Sequence, residues 1–499
     1  MPLTKQQETA SLNRGGNLLV SAAAGSGKTK VLVERLMEYL KDTRINLDDF
    51  LIITYTKAAA AELRGKIAAR LTELIAEDPD NRHLQRQIQR LFLAKISTVH
   101  GFCGDVVREY ARQLKLSGDF RVADENECAE IRERVLSDLL DSAYATAHED
   151  ADFRAFVDTQ GLGRDDRLVA DIVLKVYDSA MCHPDPEQWL AKCLRDADVE
   201  AVSDAAETVW GKYLMEEFFS YLDLHIAAME RCLKIAEEND EKGKVILNLK
   251  VSLVDLRSLR ECETWDAVAA HRPVEYGRLT FPKNFDDNAK ARIKACREAC
   301  KKGIEKRLTW FTDDSAQILS DLSQSAAAGR GLIALVRQFR AEFSRAKRIR
   351  RCVDFSDLEH LVLELLWRED GFGQKVRTSA ALDLRERFVE IMVAEYQDSN
   401  QVQDAIFTAL TGGAHHCFMV GDVKQSIYQF SRADQGIFLE KYNRYDHVEN
   451  ARPGAGRKVL LSANFRSGPE VIEAVNHVFE SCMCERVGGL RYGADEALN

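Results

Sequence analysis

Two rhythms of apolar residues divide the first hundred positions. Short apolar runs occur at Leu18-Leu19-Val20 and at Phe50-Leu51-Ile52-Ile53-Thr54, and a third strand-like run covers residues 96–99. After each run the apolar positions spread to every third or fourth residue. They fall at Leu32, Val33, Leu36, Met37 and Leu40, then at Leu63, Ile67, Leu71 and Leu74, then at Phe102 and Val106. An unbroken run suits a strand covered on both faces, and the wider spacing suits a helix with one buried stripe. Their alternation predicts an α/β fold: a parallel sheet flanked by helices, with ligands gathering beyond the carboxyl ends of the strands.

Over residues 115–385 the texture changes to long, charged helical patterns without β-rich runs or an internal repeat. This predicts one large helical insertion, with connections at 239–244 and 272–288. Strand texture returns at 388–393 and 417–420. A further run at 458–461 follows the turn Pro453-Gly454-Ala455-Gly456 and is expected to open a second sheet domain.

The first strand leads into Ala22-Ala23-Ala24-Gly25-Ser26-Gly27-Lys28-Thr29. Strand, tight loop and helix in this order turn backbone N–H groups inward, where they cradle phosphate oxygens at the positive end of a helix. Gly25 and Gly27 let the backbone approach, Lys28 reaches the β and γ oxygens, and the Thr29 hydroxyl ligates Mg²⁺. Ala22 stands where the usual pattern begins with glycine. The plainer alternative, a surface turn, does not explain the strand context or the Gly-Lys-Thr ending.

Bulk composition narrows the classes. At 499 residues the chain exceeds a single core and should split into roughly two to four domains. No run reaches the ~20 apolar residues of a bilayer crossing, and no basic-then-apolar leader opens the chain, so no membrane and a cytoplasmic location are expected. The 12 Cys show no zinc-like double pair and read as reduced structural thiols. A net charge of −11 argues against coating DNA by bulk electrostatics, while leaving room for a narrow basic channel. The basic runs at 290–307 and 337–351 read as solvated helix faces, with DNA contact as the alternative.

A nucleotide-driven motor also needs a metal-holding acid, a base for the attacking water, a γ-phosphate sensor and an arginine. Three strand ends offer them: Ala394-Glu395-Tyr396-Gln397-Asp398, Gly421-Asp422-Val423-Lys424-Gln425-Ser426-Ile427-Tyr428, and Asn464-Phe465-Arg466-Ser467. These occur in order with Leu3-Thr4-Lys5-Gln6-Gln7, Thr54-Tyr55-Thr56-Lys57-Ala58, Thr98-Val99-His100-Gly101-Phe102, Phe120-Arg121-Val122-Ala123-Asp124 and Val353-Asp354-Phe355-Ser356-Asp357-Leu358. Together they resemble the UvrD/Rep-like superfamily 1 DNA helicases, and within these the AddA type found in bacterial helicase–nucleases.

That resemblance implies a parallel-sheet P-loop NTPase (RecA-like) motor domain in two parts, 1–114 and 386–450. A helical insertion would occupy 115–385, and a second RecA-like domain would begin at 451–499. It implies ATP and Mg²⁺ as cofactors, 3′ to 5′ translocation, and single-stranded and duplex DNA ends as substrates. The implied partner is an AddB-like nuclease subunit, and the implied setting is double-strand-break repair. Gln7 would grip the adenine edge and Phe465 stack on the base. Glu395 would activate water, Gln425 sense the γ-phosphate, and Arg466 act as arginine finger. Tyr55 and Phe430 would stack on single-stranded bases, worth ~1–3 kcal/mol each. Thr54, Thr56 and His100 would touch the DNA backbone.

Several positions depart from the pattern. Where the family reads Asp-Glu, this chain has Ala394-Glu395, and a lost carboxylate at a phosphoryl-transfer site costs on the order of ~3 kcal/mol, about a hundredfold in rate. Asp398, past the strand end, reads as a poor substitute. Ser431 follows Phe430 where an arginine is usual, and Lys30 stands for an adenine-stacking arginine. The motifs completing a second motor domain and a nuclease domain do not occur, so an N-terminal portion of a longer protein is expected. Two other readings remain beside the motor: a UvrD/Rep-like helicase without nuclease, and an ATP-binding DNA scaffold impaired in hydrolysis. A small-molecule kinase gives no reason for Gln7, Tyr55 and Arg466 to coexist.

Overall fold

The computed structural model describes residues 2–160, 167–240, 243–412, 416–426, 433–485 and 489–499. The chain forms two compact units. One comprises Met1–Ser137, Lys175–Pro186 and Phe339–Asn499; the other comprises Asp138–Leu174 and Glu187–Gln338.

The first unit is built on a seven-stranded sheet. Its strands are β1 (Leu18–Ala22), β2 (Phe50–Thr54), β3 (Lys95–Thr98), β4 (Glu390–Ala394), β5 (His416–Gly421), β6 (Asp446–His447) and β7 (Arg457–Leu461), in the order β6-β7-β1-β5-β4-β2-β3. Every pairing in it is parallel. Alternate residues feed two separate cores. Leu18, Val20, Ile52, Met392 and Val420 pack with Leu32, Leu36 and Ile67 on one face, while Leu19, Ile53, Ile391, Val393 and Met419 pack with Phe102, Val362 and Ile406 on the other. The unbroken apolar runs of the sequence are the signature of this two-sided burial.

The run at 458–461 does not open a second sheet. β7 pairs directly with β1, in register from Leu18–Arg457 to Ala22–Leu461. Its burial alternates, with Val459 and Leu461 turned into the core that β1 serves. Two short pairings also interrupt the helical stretch, Arg121–Val122 with Cys352–Val353 and Trp367–Glu369 with Lys375–Arg377. Strands of two or three residues are too short to leave a periodic pattern.

The second unit is helical among its described residues. Met215, Phe218, Leu222 and Met229 of helix Val209–Asn239 pack against Leu249, Leu253 and Leu256 of Lys244–Arg260 and against Ile293, Cys300 and Ile304 of Asp287–Leu308. No described helix is long and apolar enough to cross a membrane. All twelve cysteines are free thiols.

Candidate active site

The phosphate-type loop joins β1 to helix α1 (Lys28–Tyr39). Ala22 and Ala23 are buried, and the Ala23 N–H donates to the Leu461 carbonyl at 3.0 Å, extending the β1–β7 pairing into the loop. Gly25 and Gly27 take left-handed backbone conformations, φ +72° and +84°. A side chain at Gly27 would bring its Cβ to 2.9 Å from Gln7 Nε2, and one at Gly25 to 2.9 Å from Asn464 Oδ1. Both positions therefore demand glycine on torsional and steric grounds. Gly27 caps α1 without a side-chain hydrogen bond, which leaves the helix's leading amides free of a side-chain acceptor. Ser26 is buried, and its hydroxyl has no partner among the described residues.

Three strand ends converge on Lys28. Its ammonium donates to Glu395 Oε2 at 3.2 Å, from the exit of β4, and to Gln425 Oε1 at 2.9 Å, beyond β5. Gln425 is itself fixed, since its Nε2 donates to Asp422 Oδ2 at 2.8 Å and Lys424 holds the other oxygen of that buried carboxylate at 3.0 Å. Gln397 bridges the two loops: its Nε2 donates to Glu395 Oε2 at 2.9 Å, and its Oε1 accepts from the Asp422 N–H at 3.0 Å. Glu395 occupies the left-handed region at φ +55°, uncommon for a residue with a side chain. That kink turns the chain into the short helical turn Tyr396–Asp398.

The turn keeps Asp398, which lies past the strand end, beside the cavity that the strand end borders. Asp398 shares a cavity with Ala394, Glu395 and Thr29. Burial pushes its pKa up to about 6, the Glu395 charge adds to the rise, and Lys28 opposes it. Its Oδ1 is buried without a partner among the described residues. Ala394 contributes only a methyl group.

Two cavities flank the Lys28–Glu395 pair. One, of about 780 Å³, is lined by residues 24–30 of the loop and helix start together with Glu395, Gln425, Phe465 and Arg466. The other, of about 490 Å³, is lined by Thr54, Tyr55, Thr56, His100, Ala394 and Asp398. Lys28, Thr29, Lys66 and Glu395 border both.

Asn464, which the sequence offers only as part of a run, organises the far wall. Its Nδ2 donates to the Ala24 carbonyl at 2.8 Å, and its Oδ1 accepts from the N–H groups of Arg466 (2.8 Å) and Ser467 (2.9 Å). The Phe465 N–H donates to the Gly25 carbonyl at 3.0 Å, so a half-exposed aromatic and an exposed arginine are pinned to the loop. An Asn two places before Arg, able to cap a turn, is the signal available in the sequence.

Gln7 lies against the same loop but is largely engaged within the protein. Its Nε2 donates to the Ser26 carbonyl at 2.8 Å, and its Oε1 accepts from the Thr4 N–H at 3.0 Å in a capping box that starts helix Lys5–Leu12. One N–H and one lone pair remain for a ligand.

On the second cavity, Thr54 is buried and its hydroxyl donates to the Thr56 carbonyl at 3.1 Å; Thr56 caps helix Lys57–Glu77. Tyr55 is half-buried, and its hydroxyl pairs with Ser399 Oγ; burial raises its pKa well above the usual phenol range. His100 stacks on Phe355 at 4.6 Å, and its Nε2 lies 3.2 Å from buried Glu359. Phe430, with Tyr428, Ser431 and Arg432, lies outside the described residues.

The donor set fits a nucleotide with its cation. The left-handed glycines form a cradle that a Cβ would fill, and Ser26 Oγ and Asp398 Oδ1 are orphaned polar atoms in or beside it. Among the described residues no three His, Cys, Asp or Glu side chains cluster to hold a metal by themselves. A cation here would complete its shell with phosphate and water oxygens, as Mg²⁺ does.

The parallel sheet, the loop with its left-handed glycines and the converging strand ends define a fold of the P-loop, RecA-like type. The UvrD/REP helicase N-terminal domain model matches residues 3–446, and the chain belongs to that family. Over 99% of its length it is similar to bacterial proteins whose names describe the A-type subunit of an ATP-dependent helicase/nuclease. It is 35% identical to that of Clostridium beijerinckii, 36% to that of Acetivibrio thermocellus and 37% to that of Pelotomaculum thermopropionicum. In each case the chain covers 40% of the relative's length.

Proposed function

We propose that this chain is the ATP-driven motor part of a cytoplasmic helicase–nuclease that processes DNA ends in double-strand-break repair. It would move 3′ to 5′ along one strand and work with an AddB-like nuclease subunit. One observation carries the reading: the Lys28–Glu395 pair forms a common border between a cavity lined by phosphate-loop residues and a cavity lined by Thr54, Tyr55, Thr56 and His100. A site for nucleotide alone has no need of the second chamber.

Bound ATP with Mg²⁺ supplies the scissile anhydride and neutralises its β and γ oxygens. The loop amides and Lys28 hold those oxygens. Lys28, drawn to phosphate, releases Glu395, whose freed carboxylate orients and deprotonates the attacking water. Gln425, anchored on Asp422, presents its carboxamide to the γ-phosphate. Arg466 spreads the developing charge, and Phe465 covers the base. Gln7 braces the loop from behind and offers its remaining N–H and lone pair to the adenine edge.

Single-stranded DNA should raise ATP turnover at least tenfold, and duplex carrying a 3′ tail should be unwound in preference to duplex carrying a 5′ tail. Equal turnover with and without DNA would remove the motor reading. Ala394 favours a second reading, an ATP-binding DNA scaffold with impaired hydrolysis. Nucleotide-dependent DNA affinity without turnover would single it out.

A further inference from the structure

Ala394 offers no carboxylate at the end of β4, but an acid borders the same cavity. β4 ends at Ala394, the chain kinks through left-handed Glu395, and the turn Tyr396–Asp398 returns an acid to the cavity that Ala394 and Thr29 line. Among the described residues, Asp398 Oδ2 takes one long 3.5 Å contact from Gln397 Nε2, and the buried Oδ1 has no partner. Lys28, the neighbouring cation, is already engaged by Glu395 and Gln425. A buried, unsatisfied carboxylate oxygen is costly unless a ligand completes it. Mg²⁺ at phosphoryl-transfer sites typically takes one or two protein carboxylates, with phosphate and water making up the rest.

We propose that Asp398 supplies the carboxylate side of the divalent-cation site, in the cavity that it lines together with Thr29. The inference rests on the ATP-site reading above. It makes Asp398 a positioning residue for the reaction, and it removes the need for an acid at 394.

The test is equilibrium binding of the slowly hydrolysed analogue ATPγS to the 499-residue chain, with Mg²⁺ and with chelator in its place. Mg²⁺ should tighten ATPγS at least tenfold in the unaltered protein. Asp398→Asn should keep the metal-free affinity, which reports an intact fold and loop, and lose most of the Mg²⁺ increment. Adding Ala394→Asp to that variant should restore it. Ala394→Asp alone should change the increment by less than threefold, an outcome that needs no Asp398 variant to fold. An undiminished increment in Asp398→Asn overturns the proposal, as does a tenfold gain from Ala394→Asp alone or the lack of any increment in the unaltered protein. No ATPγS binding under either condition overturns the ATP-site reading itself.

Discussion

Helix α1 and strand β4 are joined twice, once at each end, and the two joints differ in almost every respect. At the entrance of β4, Arg35 and Glu390 are almost wholly buried, with side-chain exposures of 0% and 2%. The guanidinium meets the carboxylate through two N–H groups, at 2.7 and 2.5 Å, and donates also to the Ala10 and Asn13 carbonyls. Tyr39, its pKa pushed up to about 12 by burial and by Glu390, keeps its proton and donates to the same carboxylate at 3.1 Å. At the exit, Lys28 meets Glu395 through one contact at 3.2 Å, with exposures of 15% and 44%. The first joint is saturated and closed. The second is open, passes through left-handed Glu395 and is bordered by atoms that lack partners among the described residues. One helix and one strand thus carry a fastening and a working contact.

The comparison can be broken most forcefully at the buried joint. Glu390→Ala leaves Arg35 charged and unpaired in the core and should destabilise the protein by about 3–5 kcal/mol in urea unfolding. Replacing both partners, Arg35→Met with Glu390→Leu, should be less damaging than the single change. At the open joint, Lys28→Ala should weaken ATP binding about a hundredfold, about 2.7 kcal/mol, while unfolding shifts by less than ~1 kcal/mol. A large loss of stability there would erase the distinction between the two joints.

Smaller effects sharpen the contrast. Gly27→Ala forces a Cβ into the left-handed region and towards Gln7. It should cost about 1–2 kcal/mol in unfolding and abolish tight nucleotide binding. Asn464→Ala removes a cap that serves three partners at the loop's far wall and should cost about 1 kcal/mol, with a severalfold loss of ATP affinity.

Much of this molecule is legible in its sequence. The apolar runs identify β1, β2, β4 and β5, because a doubly covered strand has no polar face to blur it. The residues lining the first cavity are legible because strand ends in such a sheet converge. The placement of β7 is not, since a turn containing Pro453 and Gly454 looks alike whether the chain leaves the sheet or rejoins it beside β1. Arg35 and Glu390 stand 355 positions apart, and nothing in the sequence pairs them. The hints are a charge between Leu32 and Leu36 on a helix face otherwise bound for the core, and a second charge inside the apolar run at 388–393. Asp398 is visible in the sequence, but its place beside Ala394 and Thr29 is not, because distance along the chain says little once a left-handed residue turns the backbone.

The shared border formed by Lys28 and Glu395 has an electrical consequence. With the pair intact, the floor beneath Thr54 and Tyr55 carries a compensated charge. Once a triphosphate claims the lysine, the same floor presents a naked anion. Fuel occupancy would then reach the neighbouring chamber as a gain of negative charge, felt by any polyanion lying there before a helix or strand has shifted.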